Sequence, residues 1–340
     1  MAGGGFGDRG SPGASGLREP APSDGAAGDQ AASPGGGTGD TSSASAASGT
    51  NIAAEVSLAV AAKAAAENFP VALRVLPRRY RRHLTALYGF ARLVDDIGDE
   101  ALPGVGAGDT QASTEARLRV LDALRDDVTR GYDGTGPRLP AIRALAATAR
   151  ECGIPRQPFD DLIEANRQDQ RVKRYRTIDE LVRYCELSAN PVGLVVLHIF
   201  GAATAERISL SDNICTSLQI IEHCQDVRED LANGRIYLPR EDMERFGCSE
   251  ADLAAPAAPE RVRELIGFEA RRAARMLDEG APLVGTLRGA ARLAVAGYVA
   301  GGRATLAAIA AGGYDVLRDT PRPGKARMVA GLVRSFVTGR

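Results

Sequence analysis

From about Ile52 onward, apolar residues recur three or four positions apart in long stretches rich in Ala, Leu, Val and Arg. No convincing alternation of apolar and polar residues interrupts them. A period near 3.6 lays one apolar stripe along a helix, whereas a half-buried strand needs a period of two. The chain therefore reads as all-α. Breaks rich in Gly and Pro fall at Pro77 and over 103–109, 131–140, 153–158, 201–211, 234–239, 254–259 and 312–323. They divide the chain into about eight to ten helices. No fixed-period repeat is present, which argues against a solenoid.

The two ends differ from this pattern. Residues 1–50 are dominated by Gly, Ala, Ser and Pro, with Phe6 and Leu17 as their only large apolar residues. Such a stretch buries too little surface to offset its ordering entropy, so a disordered tail is expected ahead of a helical domain over 51–320. Residues 321–340 carry Arg322, Lys325, Arg327, Arg334 and Arg340 and no acid, interleaved with Met328, Val329, Leu332, Val333, Phe336 and Val337. This basic amphipathic segment suits either an anionic membrane surface or docking on its own domain.

Composition narrows the classes. With 340 residues and 44% hydrophobic content the chain can bury a sizeable core. Its net charge of −1 gives no global basic excess, which argues against a nucleic-acid partner. The five cysteines, Cys152, Cys185, Cys215, Cys224 and Cys248, are odd in number and lack CxxC spacing. Neither a disulfide framework nor a thiolate zinc site is expected. No segment reaches eighteen consecutive apolar residues, and no basic start precedes an apolar run. A cytoplasmic location is expected, with contact at the inner face of the membrane as the alternative the basic 321–340 segment raises.

Chemistry concentrates in two acidic clusters. The first is Asp95-Asp96-Ile97-Gly98-Asp99-Glu100, and the second places Glu222, Asp226 and Asp230 within an otherwise apolar stretch. Residues four apart share a helix face, so Asp95/Asp99 and Glu222/Asp226/Asp230 each form a carboxylate row, with Gln219 at near-helical spacing before the second. Like charges on one face repel, and buried carboxylates need a partner. Hard divalent ions are the natural one, and Mg²⁺ typically joins a few carboxylates to substrate phosphates. Arg92, one turn before Asp95, can pair with the carboxylates or take a diphosphate oxygen. The alternatives are a solvated helix end for the first cluster and a charged face partnered by Arg228 and Arg235 for the second. An EF-hand is a poor fit because its DxDxDG order and distal Glu are missing. His83, His198 and His223 are isolated in sequence.

On these motifs the chain resembles the squalene/phytoene synthases, all-α isoprenoid synthases that join two prenyl diphosphates. The likeness runs from about Ala54 to about Gly313. Asp95 and Asp99 match the family's first aspartate motif. Asp226 and Asp230, followed by Gly234-Arg235-Ile236-Tyr237-Leu238-Pro239, match its second. Tyr184, Tyr88, Arg92 and Gln219 fall at family pocket positions, and the helix from Phe159 through Asp169 to Tyr175 also matches.

The departures point to one branch. Ala66-Glu67-Asn68-Phe69-Pro70 replaces a Ser-rich basic stretch, Glu222 and Gln225 stand where many members have Asn and Arg, and Ser188-Ala189-Asn190-Pro191 replaces a VAG segment. These resemble the bacterial hydroxysqualene synthases. The resemblance implies a single-domain fold with a central cavity between helices and Mg²⁺-dependent conversion of presqualene diphosphate to hydroxysqualene in squalene and hopanoid synthesis. It also implies partner enzymes: a presqualene diphosphate synthase before it and a hydroxysqualene reductase after it.

Asp95, Asp99, Glu222, Asp226 and Asp230 are then the expected metal ligands. Arg92 and Arg235 would hold diphosphate oxygens. Asn68, Phe69, Tyr88, Asn190 and Gln219 would contact substrate, and Tyr184 would stabilise a carbocation or position water. Gaining Glu67 and Glu222 while losing cations fits one diphosphate instead of two. The alternatives are a head-to-head synthase acting on farnesyl diphosphate, a phytoene-type synthase, and a non-catalytic prenyl-lipid binder.

Overall fold

Pro77 opens the described part of the chain by setting the turn from which the first helix grows, its carbonyl accepting the Tyr80 and Arg81 amides. The computed structural model describes residues 76–99, 111–322 and 324–339. Asn68, Phe69, Glu67 and the Gly-rich tail lie outside them. The described residues form fourteen α-helices, with one isolated parallel bridge between Arg174 and Ile236.

The helices are α1 Arg78–Asp99, α2 Gln111–Asp133, α3 Pro140–Cys152, α4 Gln157–Asp169, α5 Ile178–Ser188, α6 Asn190–Ile199 and α7 Ala205–Gln225. There follow α8 Val227–Ala232, α9 Arg240–Arg245, α10 Glu250–Leu253, α11 Glu260–Gly280, α12 Leu283–Thr286, α13 Gly289–Ala311 and α14 Lys325–Thr338. Ten reach ten residues or more, and α8, α9, α10 and α12 are one-turn or two-turn connectors too short for periodicity to register.

Several boundaries follow from local chemistry. Pro158 and Pro191 sit in the first turns of α4 and α6, where a missing N–H costs nothing. Thr177 and Thr204 cap α5 and α7 by accepting the amides of Glu180 and Arg207. Gly153 closes α3 in the left-handed conformation.

Three apolar clusters hold the bundle. One gathers α1–α4 and α6 around Phe90 and Phe159, whose rings meet edge to face at 5.3 Å. A second joins α4, α5 and α7 to α11 through Tyr175, Tyr184, Ile220, Tyr237 and Leu265. The third packs α6, α7 and α11 against α12 and α13. Helix α13 is long and apolar enough to cross a membrane, with a mean hydropathy of 1.4, yet Val295, Ala296 and Val299 are buried in the third cluster. Its Arg303 pairs with Asp278 at 2.6 Å. Helix α14 lies on α13, with Ser335 buried and the Arg292 guanidinium over the Phe336 ring.

Candidate active site

Helix α1 carries the first carboxylate row at its C-terminal end. Asp95 and Asp99 face solvent, while Asp96 between them is turned into the protein, 4% exposed, and pairs with Arg92 Nε at 2.9 Å. Asn166 of α4 donates to Asp95 Oδ1 at 3.4 Å. It comes this close because residue 98 is glycine: a Cβ there would lie 2.3 Å from Asn166 Oδ1. Gln170 reinforces the contact by donating to the Gly98 carbonyl at 3.2 Å.

The second row sits where α7 ends. The backbone leaves the helical region at Asp226 (φ −100°, ψ 15°), so the row is not carried by one straight helix. The register survives the break. The Asp226 amide still donates to Glu222 O at 2.9 Å and the Asp230 amide to Asp226 O at 2.8 Å.

The two rows feel each other. Asp95 opens to the cleft but protein crowds most of its surroundings, and this lost hydration, with the charges of Asp99 and Glu222, raises its carboxyl to about 7. Lost hydration and the charges of Glu222, Asp230 and Glu229 raise Asp226 to about 6. Glu222 thus acts on both rows and places them on facing walls of one cleft. Among the described residues no three metal-binding side chains converge as a ready-made cage. Mg²⁺ does not require one, since it keeps several waters and binds through one or two carboxylates plus phosphate. Facing rows of hard oxygen donors with unrelieved repulsion fit that ion.

Between the rows lies Arg235. Gly234 adopts φ 75°, a conformation glycine takes without strain, and so turns the chain back after α8. The Arg235 amide then closes on Asp230 O at 2.8 Å, and its guanidinium reaches Asp99 Oδ1 at 2.7 Å. Ile236 docks by donating to the Lys173 carbonyl at 2.9 Å, and Tyr237 enters a buried polar cluster. Asp169, the last residue of α4 and 5% exposed, is the centre of that cluster. It accepts the Tyr184 hydroxyl at 2.6 Å and the Tyr237 hydroxyl at 3.1 Å. Burial raises Asp169 to about 6, against the opposing pull of the Arg235 charge and both hydroxyls. The His223 ring stacks on Tyr237 at 3.8 Å and 10°, with Nδ1 3.9 Å from Asp230 and Nε2 3.3 Å from the Gln219 amide nitrogen.

Beside the second row opens an apolar cavity of about 210 Å³. Glu222 and Gln219 line it, as do Val192, Leu218, Leu283 and Val295. A greasy chamber next to an anionic cleft suits a molecule with a hydrocarbon body and a phosphorylated head.

The sequence model of the squalene/phytoene synthase family matches residues 62–328. The chain belongs to this family. Among solved structures it is similar to squalene synthase HpnC from Alicyclobacillus acidocaldarius, 40% identical with a TM-score of 0.66, covering 80% of this chain and 96% of that one. Among characterised proteins it is 33% identical to the phytoene synthase of Mycobacterium tuberculosis, over 65% of this chain and 70% of that one. It is also 33% identical to the hydroxysqualene synthase of Rhodopseudomonas palustris, over 65% of this chain and 72% of that one. The all-α isoprenoid synthase fold and action on prenyl diphosphates follow from this membership.

Within this family member, Asp95, Asp99, Glu222, Asp226, Asp230 and Arg235 come together around the cleft. Arg92 joins them through Asp96, and Gln219 lines the cavity. Tyr184 is buried and does not line that cavity, so its hydroxyl serves Asp169. Asn190 accepts from Thr216 at 3.0 Å, bracing α6 on α7. Tyr88 is half-buried on α1. Asp169, His223 and Tyr237 were not singled out as site residues by sequence. A carboxylate inside the matching Phe159–Tyr175 stretch and a histidine one residue after Glu222 were the available signals.

Proposed function

We propose that the protein converts presqualene diphosphate to hydroxysqualene, releasing diphosphate, with Mg²⁺ as its metal. One feature carries this reading over the two-substrate alternatives. At the second row, Glu222 adds a carboxylate where many family members have Asn, and Gln225 replaces their Arg and turns away to donate to the Pro321 carbonyl at 2.5 Å. The cleft therefore has fewer cations for a second diphosphate. The similarity to enzymes named hydroxysqualene synthase supports the same choice.

Asp95, Asp99, Glu222, Asp226 and Asp230 would hold the metal, which when bound neutralises the departing diphosphate. The protein's own groups do the rest. Arg235, 12% exposed in its side chain, holds its guanidinium at the cleft on Asp99 Oδ1 at 2.7 Å, from where it would take a phosphate oxygen. Asp169 fixes the tyrosines behind it, and the His223–Tyr237 stack keeps the wall beside Asp230 rigid. The apolar cavity holds the hydrocarbon and limits water to what it specifically binds.

The test is product analysis of the purified protein with Mg²⁺ and either presqualene or farnesyl diphosphate, without nicotinamide. Hydroxysqualene from presqualene diphosphate alone is expected, with Asp226→Asn losing about 10²-fold or more in rate while still folded. Presqualene diphosphate, squalene or phytoene-type products from the simpler substrates would overturn the reading in favour of a head-to-head synthase.

A further inference from the structure

The apolar cavity has a direction. On α7 its walls are Ser211, Ile214, Cys215, Leu218, Gln219 and Glu222, which recur every three or four residues and so share one face. Glu222 marks the head end, where the carboxylate row begins, and Ser211 is the last residue of that face to line the cavity.

Neighbouring helices fix what stands at the far end. Helix α6 runs back along α7. Asn190 accepts from Thr216 at 3.0 Å, whereas Gly193 sits so close to Ser211 that a Cβ on it would lie 2.4 Å from Ser211 Oγ. Leu197, one turn beyond Gly193, is therefore level with the Ser211 end. Helix α12 crosses the same level. A Cβ on Gly280 would lie 2.6 Å from the Leu210 carbonyl, and Arg207 donates to the Thr286 carbonyl at 2.8 Å. Leu283, between Gly280 and Thr286, meets this end too. Both leucines line the cavity, are 1% exposed and belong to the third apolar cluster, so the space behind them is filled.

The length of a hydrocarbon can be set against this wall. Along α7 the rise from Ser211 to Glu222 is about 17 Å, at ~1.5 Å per residue. An extended chain advances about 1.2 Å per bond, so an isoprene unit, with four main-chain bonds, takes ~5 Å, three take ~15 Å and four take ~20 Å. Three units fit between the carboxylate row and the leucines. A fourth meets packed side chains.

We propose that Leu197 and Leu283 are the stop that limits the hydrocarbon lodged in this cavity to three isoprene units, and so select C15-derived over C20-derived diphosphates. This rests on the placement of the diphosphate at the carboxylate rows in the reading above. Likeness leaves the choice open, since the chain is 33% identical both to a phytoene synthase and to a hydroxysqualene synthase.

The experiment measures, by calorimetry with Mg²⁺, the binding of the unreactive S-geranyl, S-farnesyl and S-geranylgeranyl thiolodiphosphates to four proteins. These are wild type, Leu283→Ala, the milder Leu283→Val, and Ser211→Leu. Comparing chain lengths within one protein cancels any loss of folded fraction. Wild type should bind the C15 probe about tenfold tighter than the C20 probe, the scale of forcing extra carbons into a packed wall. Leu283→Ala should erase or invert that ratio, Leu283→Val should shift it partway, and Ser211→Leu should bring the C15 probe down to the C10 level. Equal C15 and C20 affinities in wild type would mean that the longer chain leaves at the open edge by Tyr298, 45% exposed, and would overturn the stop. A ratio unmoved in both Leu283 variants would overturn it as well. Product analysis separates the two failures: a protein that makes presqualene diphosphate or squalene from farnesyl diphosphate, yet keeps the C15 preference, loses the hydroxysqualene reading and retains the stop. Absence of binding by all three probes overturns both.

Discussion

Asp169 offers a sharp test of how the site is held together. Its carboxyl titrates near 3.8 when unfolded and about 6 in the native protein, because burial outweighs the help from Arg235, Tyr184 and Tyr237. Between these values the native state keeps a proton that the unfolded state has lost. Stability from this group is therefore fully present below pH 3.8 and is lost as pH rises to 6. A shift of about two units at about 1.36 kcal/mol each gives a loss of about 3 kcal/mol. Asp169→Asn removes the titration but keeps the shape. It leaves one tyrosine hydroxyl to turn, at a cost of about 1 kcal/mol that does not depend on pH. Urea unfolding of both proteins in EDTA at pH 4, 5, 6 and 7 isolates the term. The variant should gain about 3 kcal/mol on wild type between pH 4 and 7, while its turnover with Mg²⁺ falls because Arg235 loses a counter-charge. A stability difference that stays flat within about 1 kcal/mol would refute the reasoning.

Other consequences follow from the same geometry. Asp95 and Asp226 are also raised, so both lose their contribution to stability as pH climbs toward 7, and Mg²⁺ with pyrophosphate should relieve this. Thermal shifts from that pair of ligands should be larger at pH 7 than at pH 5; equal shifts would count against metal binding between the rows. Gly280→Ala should cost about 1–3 kcal/mol in chemical unfolding, since its Cβ would lie 2.6 Å from the Leu210 carbonyl and 2.9 Å from the Ile214 amide, both backbone. On α14, Val329, Val333, Phe336 and Val337 stay exposed, as does Arg334 of the same helix. The chain should therefore co-sediment with anionic vesicles and be released by Val333→Glu with Val337→Glu, whereas equal sedimentation with neutral vesicles would argue against a charge-assisted contact.

How much of this could be seen in the residues alone depended on the range over which each signal acts. Helix periodicity is local, so the long helices were legible and the one-turn connectors α8, α9, α10 and α12 were not. The carboxylate rows were legible because spacing by four survives even the break at Asp226, where the Glu222 carbonyl still receives the Asp226 amide. What spacing cannot carry is who sits opposite. Asp169 is 15 residues from Tyr184 and 68 from Tyr237, and only the turn at Gly234 brings Tyr237 and Arg235 back to it. For the same reason the spacing does not show that the Tyr184 hydroxyl has its polar partner on another helix. A tyrosine hydroxyl locked to a buried carboxylate makes that wall of the site rigid. A site of this kind divides its work by position: the carboxylate rows line the cleft, where a cation can relieve their repulsion, and Asp169 behind them is held by the two tyrosine hydroxyls that donate to it.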